Sequence, residues 1–317
     1  MSGVVAVTAP AKVNLALGVG ERRPDGYHPL ATVYQAVGLF DEVRVSHARR
    51  DLGTGVTVTV RAEHPLSVAD VPTDETNIAV RAVRLLARHH EIDLVVQRGV
   101  DIVIDKGIPV AGGMAGGSAD AAATLLACDR LWGFDSPLED LVELAAELGS
   151  DVPFALVGGT AIGSGRGELV VPLMSVGTFW WVVLTSSQGL STPAVYRQFD
   201  LLQEGSPLGA PEIPDALMTA LRGHDMAELG AALSNDLQEA ALVLRPELQR
   251  ALEIGLAESA HGAVLSGSGP SCLFLCESRA HAGLVADGLE AAGLGPVSFA
   301  PGPVPGARVI GRDPSWS

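Results

Sequence analysis

Between Pro109 and Ala123 the chain reads PVAGGMAGGSADAAA, with Gly112, Gly113, Gly116 and Gly117 crowded into six residues. Glycine has no Cβ, so such a loop reaches backbone conformations with positive φ and can turn its N–H groups toward a ligand. Val100 to Ile104, just before it, alternates apolar and polar residues like a strand. After it, Ala121, Leu125, Cys128 and Trp132 recur at helical spacing, and Gly133 supplies a stop. A glycine loop that feeds a helix N-terminus is an anion site, because free N–H groups and the helix dipole point at the same ligand. The pattern predicts a phosphate cradle. The competing reading is a flexible loop and a small-residue helix packed tightly on a sheet.

The two commonest phosphate loops do not fit. A Walker A loop needs a Gly-Lys pair, and none occurs in the 317 residues. A dinucleotide fingerprint needs a third glycine after G-x-G. Gly18-Val-Gly20, Gly163-Ser-Gly165 and Gly267-Ser-Gly269 all lack it.

The length suggests about two domains, each large enough for its own core. Hydrophobic residues make up 47% and charged residues 18%, a globular composition. A net charge of −16 argues against a nucleic-acid surface. Phe179 to Leu184, the longest purely apolar run, is too short to cross a bilayer, and the N-terminus lacks the basic region of a signal peptide. Cys128, Cys272 and Cys276 form no CxxC, which fits core packing in a reducing cytoplasm. A monomer or weak homodimer is expected. Of 21 basic residues only Lys12 and Lys106 are lysine. A lysine kept where arginine otherwise serves marks a need for a compact ammonium. The neighbours support this at Lys12, whereas Lys106 reads as chance.

Val4 to Thr8 predicts a strand, and a second alternation follows a Pro10 bend, with Lys12, Asn14 and Ala16 sharing a face. Arg22 to Pro29 carries the Asp25-Gly26 turn and then Tyr27 and His28, which offer stacking faces and hydrogen-bond groups. The alternating valines at 43–45 and 56–60 predict two antiparallel strands. Thr73 to Thr76 opens a helix with Asn77 in its first turn, and Ser136-Pro137-Leu138-Glu139 reads as a full capping box. Asp151, after that second helix, is either a turn or N-cap carboxylate or a group returned to the glycine loop. A hairpin through Gly165-Arg166-Gly167, a buried strand at 179–185 and linkers at 186–192 and 204–214 follow. Helical periodicity then runs over 213–233 and 246–259, with strands at 272–276 and 297–300 and a helix over 278–292. The tail from about 301, rich in Pro and Gly, reads as loose.

Three separated segments, PAKVNLALGVGERRPDGYHPL (10–30), PVAGGMAGGSADAAA (109–123) and VLSGSGPSCLF (264–274), resemble motifs one, two and three of the GHMP kinases, with Met114 where leucine is usual. The run from Arg23 to His28 is similar to the branch of that superfamily that acts on a cytidine-diphosphate-linked methylerythritol in non-mevalonate isoprenoid synthesis. The resemblance implies an α+β, two-domain GHMP kinase fold. Residues 1–160 would form a ribosomal S5 domain 2-like ATP-binding domain, and 161–317 a ferredoxin-like α/β sandwich. It implies ATP and Mg²⁺, a small-molecule substrate, and no nucleic-acid or membrane partner. Asp151 would accept a proton from the 2-hydroxyl of the substrate, and Lys12 would orient Asp151 and stabilise the transferring phosphoryl. Pro109, Val110, Ala111, Gly112, Gly113, Met114, Ala115, Gly116, Gly117, Ser118 and Ala119 would wrap the ATP phosphates, with Ser118 near Mg²⁺ and Asn77 on the adenine side. Tyr27 and His28 would take the cytosine; Asn14, Thr192 and Pro193 would lie near the substrate. Other small alcohols, an RNA-binding domain of related architecture, and a catalytically dead nucleotide-binding regulator are the alternatives.

Overall fold

The computed structural model describes residues 3–48, 55–63, 66–95, 99–110, 112–186, 188–205 and 208–310, so Ala111 lies outside the described residues. The first half of the chain is β1 (Val4–Val19), β2 (Leu30–His47), β3 (Val56–Ala62), α1 (Ile78–His89), β4 (Val100–Lys106), α2 (Gly116–Trp132), α3 (Leu138–Leu148) and α4 (Val152–Val157). A hairpin of β5 (Thr160–Ser164) and β6 (Leu169–Pro172) leads to β7 (Phe179–Leu184) and α5 (Thr192–Leu202). Then come α6 (Asp215–Gly223), α7 (Met226–Ala232), β8 (Ser234–Asn235), α8 (Gln238–Leu244) and α9 (Glu247–Ala257). The described chain closes with β9 (Gly262–Leu265), β10 (Cys272–Cys276), α10 (Arg279–Ala291), β11 (Val297–Gly302) and β12 (Arg308–Val309).

Two sheets organise these elements. The larger runs β12-β1-β2-β4-β3, with β5 and β6 continuing from β2 and β8 beside β1. The smaller is antiparallel in the order β11-β7-β10-β9, so a ferredoxin-like sandwich does form the second half. The sheets are tied together by a buried hydrogen bond from Trp181 Nε1 to Gln35 Oε1 at 2.8 Å. One apolar cluster takes in Val13 and Val33 of the first sheet together with Trp181 and Leu273 of the second. α2 lies across β1 and β2. Its alanines at 119, 121, 122, 123 and 127 are fully buried, and their small size lets the helix axis approach the sheet closely.

Several expectations are corrected. β1 is one strand, not two: the Pro10 bend is a shift of register between Pro10 and Ala11, where the missing N–H is tolerated. β3 pairs with β4 in parallel, because α1 provides the crossover that parallel pairing requires. Thr73 to Thr76 form a turn closed by Asp74 Oδ1 on Thr76 N, and Asn77 is the N-cap of α1 through its bond to Ala79 N. Ser136 caps nothing, since the buried Asp129 takes both its hydroxyl and its N–H and leaves Pro137 at the N-cap. The helical run over 213–233 breaks at His224, whose φ is +54°, and Asp225 caps α7. The linker expected at 186–192 gives way at Thr192 to α5, a helix for which no element was predicted. A border at 160 would cut β5 and β6 from the sheet they belong to; the second sheet begins with β7.

The tail is not loose as far as residue 310. Val304 N donates to Ala36 O, Gly159 N to Val304 O and Ala307 N to Ala155 O, all within 3.1 Å. Arg308 and Val309 then pair with Thr8 and Val7 of β1. An open strand edge carries a row of unpaired N–H and C=O groups, and this strap covers it. It also braces α4, the helix that follows Asp151. The crossing is tight: a Cβ on Gly158, at φ +66°, would stand 2.0 Å from Gly306 N. Gly158→Ala is expected to destabilise the fold by about 2–4 kcal/mol through strain and overlap. Gly283→Ala, whose Cβ would meet nothing within 4 Å on α10, should be neutral or mildly stabilising. Denaturant unfolding of the two variants measures the difference, and equal stabilities would refute the close-packing account.

Candidate active site

Gly113 and Ala115 take positive φ, at +72° and +58°, so the loop bends twice before α2 begins. Ala115 sits at the N-cap with no side-chain bond to the first turn, which leaves the helix start uncapped by the protein. The loop leans on the segment between β9 and β10. A Cβ on Gly113 would lie 2.8 Å from Ser266 O and 3.0 Å from Gly269 O, and one on Gly112 would lie 2.9 Å from Ser271 Oγ. Gly267 and Gly269 are themselves at positive φ, +57° and +77°. Asn235 holds that segment by donating to Leu265 O and Gly267 O at 2.9 and 2.7 Å. On the other side, a cleft of about 420 Å³ opens between Pro109, Val110 and the glycines, the turn at 70–72 and the start of α1. That volume is within the range of small-molecule sites. Asn77 lines this cleft, with its amide engaged by Ala79 N and Pro72 O; it therefore also shapes the wall.

Lys12, in the middle of β1, donates its backbone N–H to Met114 O at 3.2 Å, which places its side chain under the glycine loop. Its face of the strand is not wetted: Lys12 is 7% and Asn14 2% exposed. Lys12 Nζ stands 2.6 Å from Asn14 Oδ1 and 3.6 Å from Asp151 Oδ2. Asn14 Nδ2 in turn donates to Thr32 Oγ1 at 2.8 Å, and that hydroxyl to Ala16 O at 2.7 Å. The relay leaves the ammonium little freedom. Asp151 occupies the N-cap position of α4 but makes no capping bond, so its carboxylate is available to Lys12. Tyr34 of β2 is a member that sequence reasoning missed. Its phenol is buried beside Asp151, and burial first, then that negative charge, pushes its pKa well above the usual value of 10.0, so it holds its proton more tightly. Lys12 Nζ also lies 5.2 Å from the centre of the Tyr34 ring.

The turn after β1 closes through Gly26, at φ +87°. It separates the fates of its two aromatic residues. Tyr27 is 54% exposed, with the Arg166 guanidinium 5.1 Å from its ring centre. His28 is buried, stacked on Tyr196 with 5.0 Å between ring centres. Tyr196, from the unforeseen α5, has its phenol pushed up to about 12 by burial and then by Asp151, so α5 brings a ring to the side of the Lys12–Asp151 pair. Thr192 and Pro193 start that helix, and Thr192 Oγ1 lies 2.8 Å from Ser268 Oγ of the third glycine segment.

Lys106 is no chance lysine. Its Nζ lies buried 2.5 Å from Asp41 Oδ2 and 2.8 Å from Asp120 Oδ2, just behind Gly116. Asp41 Oδ1 also accepts from Gly107 N and Ile108 N, which pins the chain entering the loop. Asp120 Oδ1 has no hydrogen-bond partner among the described residues. Burial therefore drives the Asp120 carboxyl well above its ordinary value of 3.8, and Asp41 beside it acts in the same direction. The signal was present in Asp120, an acid inside an otherwise small and neutral loop. A folded state that holds this proton more tightly than the unfolded chain loses stability as pH rises from about 4 toward the folded-state value. Asp120→Asn should remove that slope in denaturant unfolding at a series of pH values, and an unchanged slope would exclude Asp120 as its source. Lys106→Met should cost about 3–5 kcal/mol by leaving two buried carboxyls without their cation.

A glycine loop at a helix start and a Lys–Asp pair beneath it, joined to a ferredoxin-like sandwich, define a small-molecule kinase of the GHMP class. The family model for the GHMP kinases N terminal domain matches residues 77–159, and that for the GHMP kinases C terminal matches residues 217–294. A 4-diphosphocytidyl-2-C-methyl-D-erythritol kinase from Thermobifida fusca is 54% identical over 96% of this chain and 98% of its own length. Another so named, from a Nocardioides species, is 53% identical over 95% of this chain and 98% of its own. A crystal structure of 4-(cytidine 5'-diphospho)-2C-methyl-D-erythritol kinase superposes with a TM-score of 0.72 at 31% identity, covering 96% of this chain and all of that one. Homoserine kinase from Cytophaga hutchinsonii, at TM-score 0.74 and 21% identity over 97% of both chains, shares the fold. The chain belongs to the GHMP kinases and, within them, to the 4-diphosphocytidyl-2-C-methyl-D-erythritol kinase family.

Proposed function

We propose that this chain transfers the γ-phosphoryl group of ATP to the 2-hydroxyl of 4-diphosphocytidyl-2-C-methyl-D-erythritol, with Asp151 as general base. The observation that carries this reading is the 3.6 Å approach of Lys12 to Asp151, between the glycine loop and the Tyr196–His28 face. Phosphoryl transfer needs positioning and charge stabilisation more than covalent chemistry. Asp151, uncommitted to capping, would take the proton of the attacking hydroxyl. Lys12, held by Asn14, would keep Asp151 in place and face the charge spreading over the phosphoryl oxygens. It thereby supplies the cation that a Walker lysine supplies elsewhere. The N–H groups from Gly113 to Ser118 would hold the phosphates, with the base in the cleft beside Asn77.

Mg²⁺ binds phosphate oxygens and one or two protein groups while keeping several waters. The Ser118 hydroxyl, half-buried in the first turn of α2 and engaged in no hydrogen bond among the described residues, suits that role. Tyr27 and Tyr196 are the rings that would face a cytosine, with His28 supplying a polar atom; Thr192 and Pro193 would border the erythritol. No helix among the described residues is long and apolar enough to cross a membrane. Free cysteines at 128, 272 and 276, all buried, suit a reducing cytoplasm.

The test is ADP release with Mg-ATP on the cytidine-diphosphate methylerythritol, homoserine, mevalonate and galactose. Turnover on the first alone is expected, whereas turnover on another alcohol alone would discard the cytidine reading. Asp151→Asn should bind ATP normally and lose about 10²–10⁴-fold in kcat. Lys12→Arg should also lose at least about 10²-fold, because a planar guanidinium does not fit the place of a compact ammonium. A Lys12→Arg enzyme of normal rate would overturn its assigned role.

A further inference from the structure

Three residues of α5 hold His28. Tyr196 stacks on its ring at 5.0 Å, Phe199 meets it edge-on at 6.1 Å, and Asp200 Oδ1 lies 2.7 Å from Nε2. His28 is 6% exposed, so these contacts set the position of the ring as well as its orientation. A carboxylate accepts hydrogen bonds and does not donate them, so at this distance Nε2 carries the hydrogen. In a neutral imidazole the other nitrogen, Nδ1, is then a bare acceptor. No hydrogen bond among the described residues reaches Nδ1.

We propose that Asp200 is a positioning residue for base selection: by holding His28 as the Nε2–H tautomer, it presents Nδ1 to the nucleobase as an acceptor. This rests on the reading above that the Tyr27–His28 turn takes the base. An acceptor pairs with an exocyclic amino group, as on cytosine, and opposes the lone pairs of the carbonyl that uracil carries there. The reverse tautomer would present N–H and prefer the carbonyl. A site built around one polar partner rejects the wrong one strongly, since the mismatch leaves two buried acceptors facing each other. The selection is thus made one residue away from the base, by a carboxylate whose hydrogen-bond partner among the described residues is the histidine, much as outer partners fix the tautomer of metal-binding histidines.

The ring state can be read without any substrate. In the full chain with ¹⁵N-labelled histidine at pH 8, His28 is assigned by the signal that His28→Gln removes. A long-range ¹H–¹⁵N correlation should then show a protonated Nε2 and a bare Nδ1. The Asp200→Leu variant should lose that preference, and Asp200→Asn, whose amide oxygen can still accept, should largely keep it. In parallel, kcat/KM is compared for the cytidine- and uridine-diphosphate forms of the methylerythritol. Asp200→Leu should cut the cytidine preference at least tenfold through KM, with kcat within about twofold of the parent, and Asp200→Asn should restore most of it. A protonated Nδ1 in the parent protein, alone or in a doubly protonated ring, overturns the proposal, as does an unchanged nucleotide ratio in Asp200→Leu. Should the parent turn over neither nucleotide, the function reading above falls, and the base preference with it, while the ring shifts still decide whether Asp200 fixes the tautomer.

Discussion

Two glycines without side chains let the halves of this molecule meet. A Cβ at Gly113 would collide with the backbone between β9 and β10, and one at Gly112 with Ser271. Because neither exists, the loop of the first sheet rests directly on the loop of the second, and Lys12 lies beneath the seam. Gly267, on the far side of that seam, stands close enough that its Cβ would fall 3.7 Å from Lys12 Nζ. The glycine-rich stretch thus has two duties. It leaves the N–H groups at the start of α2 uncapped on one side, where the proposed phosphates would bind, and closes the domain contact on the other.

The two lysines show how one side chain serves two environments. Lys12 has an amide and a carboxylate for partners, and Asp151 retains enough exposure to meet a substrate. Lys106 is shut between two carboxylates a few residues behind the loop, and it steadies that loop through Asp41 and the N–H groups Asp41 binds. Burial makes the second cluster costly to break and poorly suited to chemistry. Partial exposure suits the first to proton transfer. α5 is tethered at its start by Thr192 to Ser268 and near its end by Asp200 to His28.

Features carried by neighbouring residues were legible in the sequence. The strand, glycine loop and helix from Val100 to Trp132 follow from period-two and period-3.6 patterns and from glycine itself, and the structure has them where they were expected. The hairpin at Gly165 to Gly167 and the strands at 179–184 and 272–276 were equally local. Capping was less legible. Ser136 looked like an N-cap, and only the fold brought Asp129 near enough to take its hydroxyl. α5 was missed because just Val195 and Phe199 of its eleven residues are buried, too few to mark a helical stripe.

By itself, the sequence determined that a glycine loop feeds a helix, that Lys12 and Asn14 share a strand and that Asp151 follows a helical hairpin. These are facts of spacing, and spacing is written in the chain. Only the tertiary structure decided that Asp151 turns toward Lys12 instead of capping α4, and that His28 is held by α5. It also decided that the Pro- and Gly-rich tail is an ordered strap to residue 310. Each of these depends on groups more than 100 residues apart, or on an exposed strand edge that takes up a segment with no regular pattern of its own. Local propensity carries no record of such partners, because the free energy that selects them arises only once the sheets have packed.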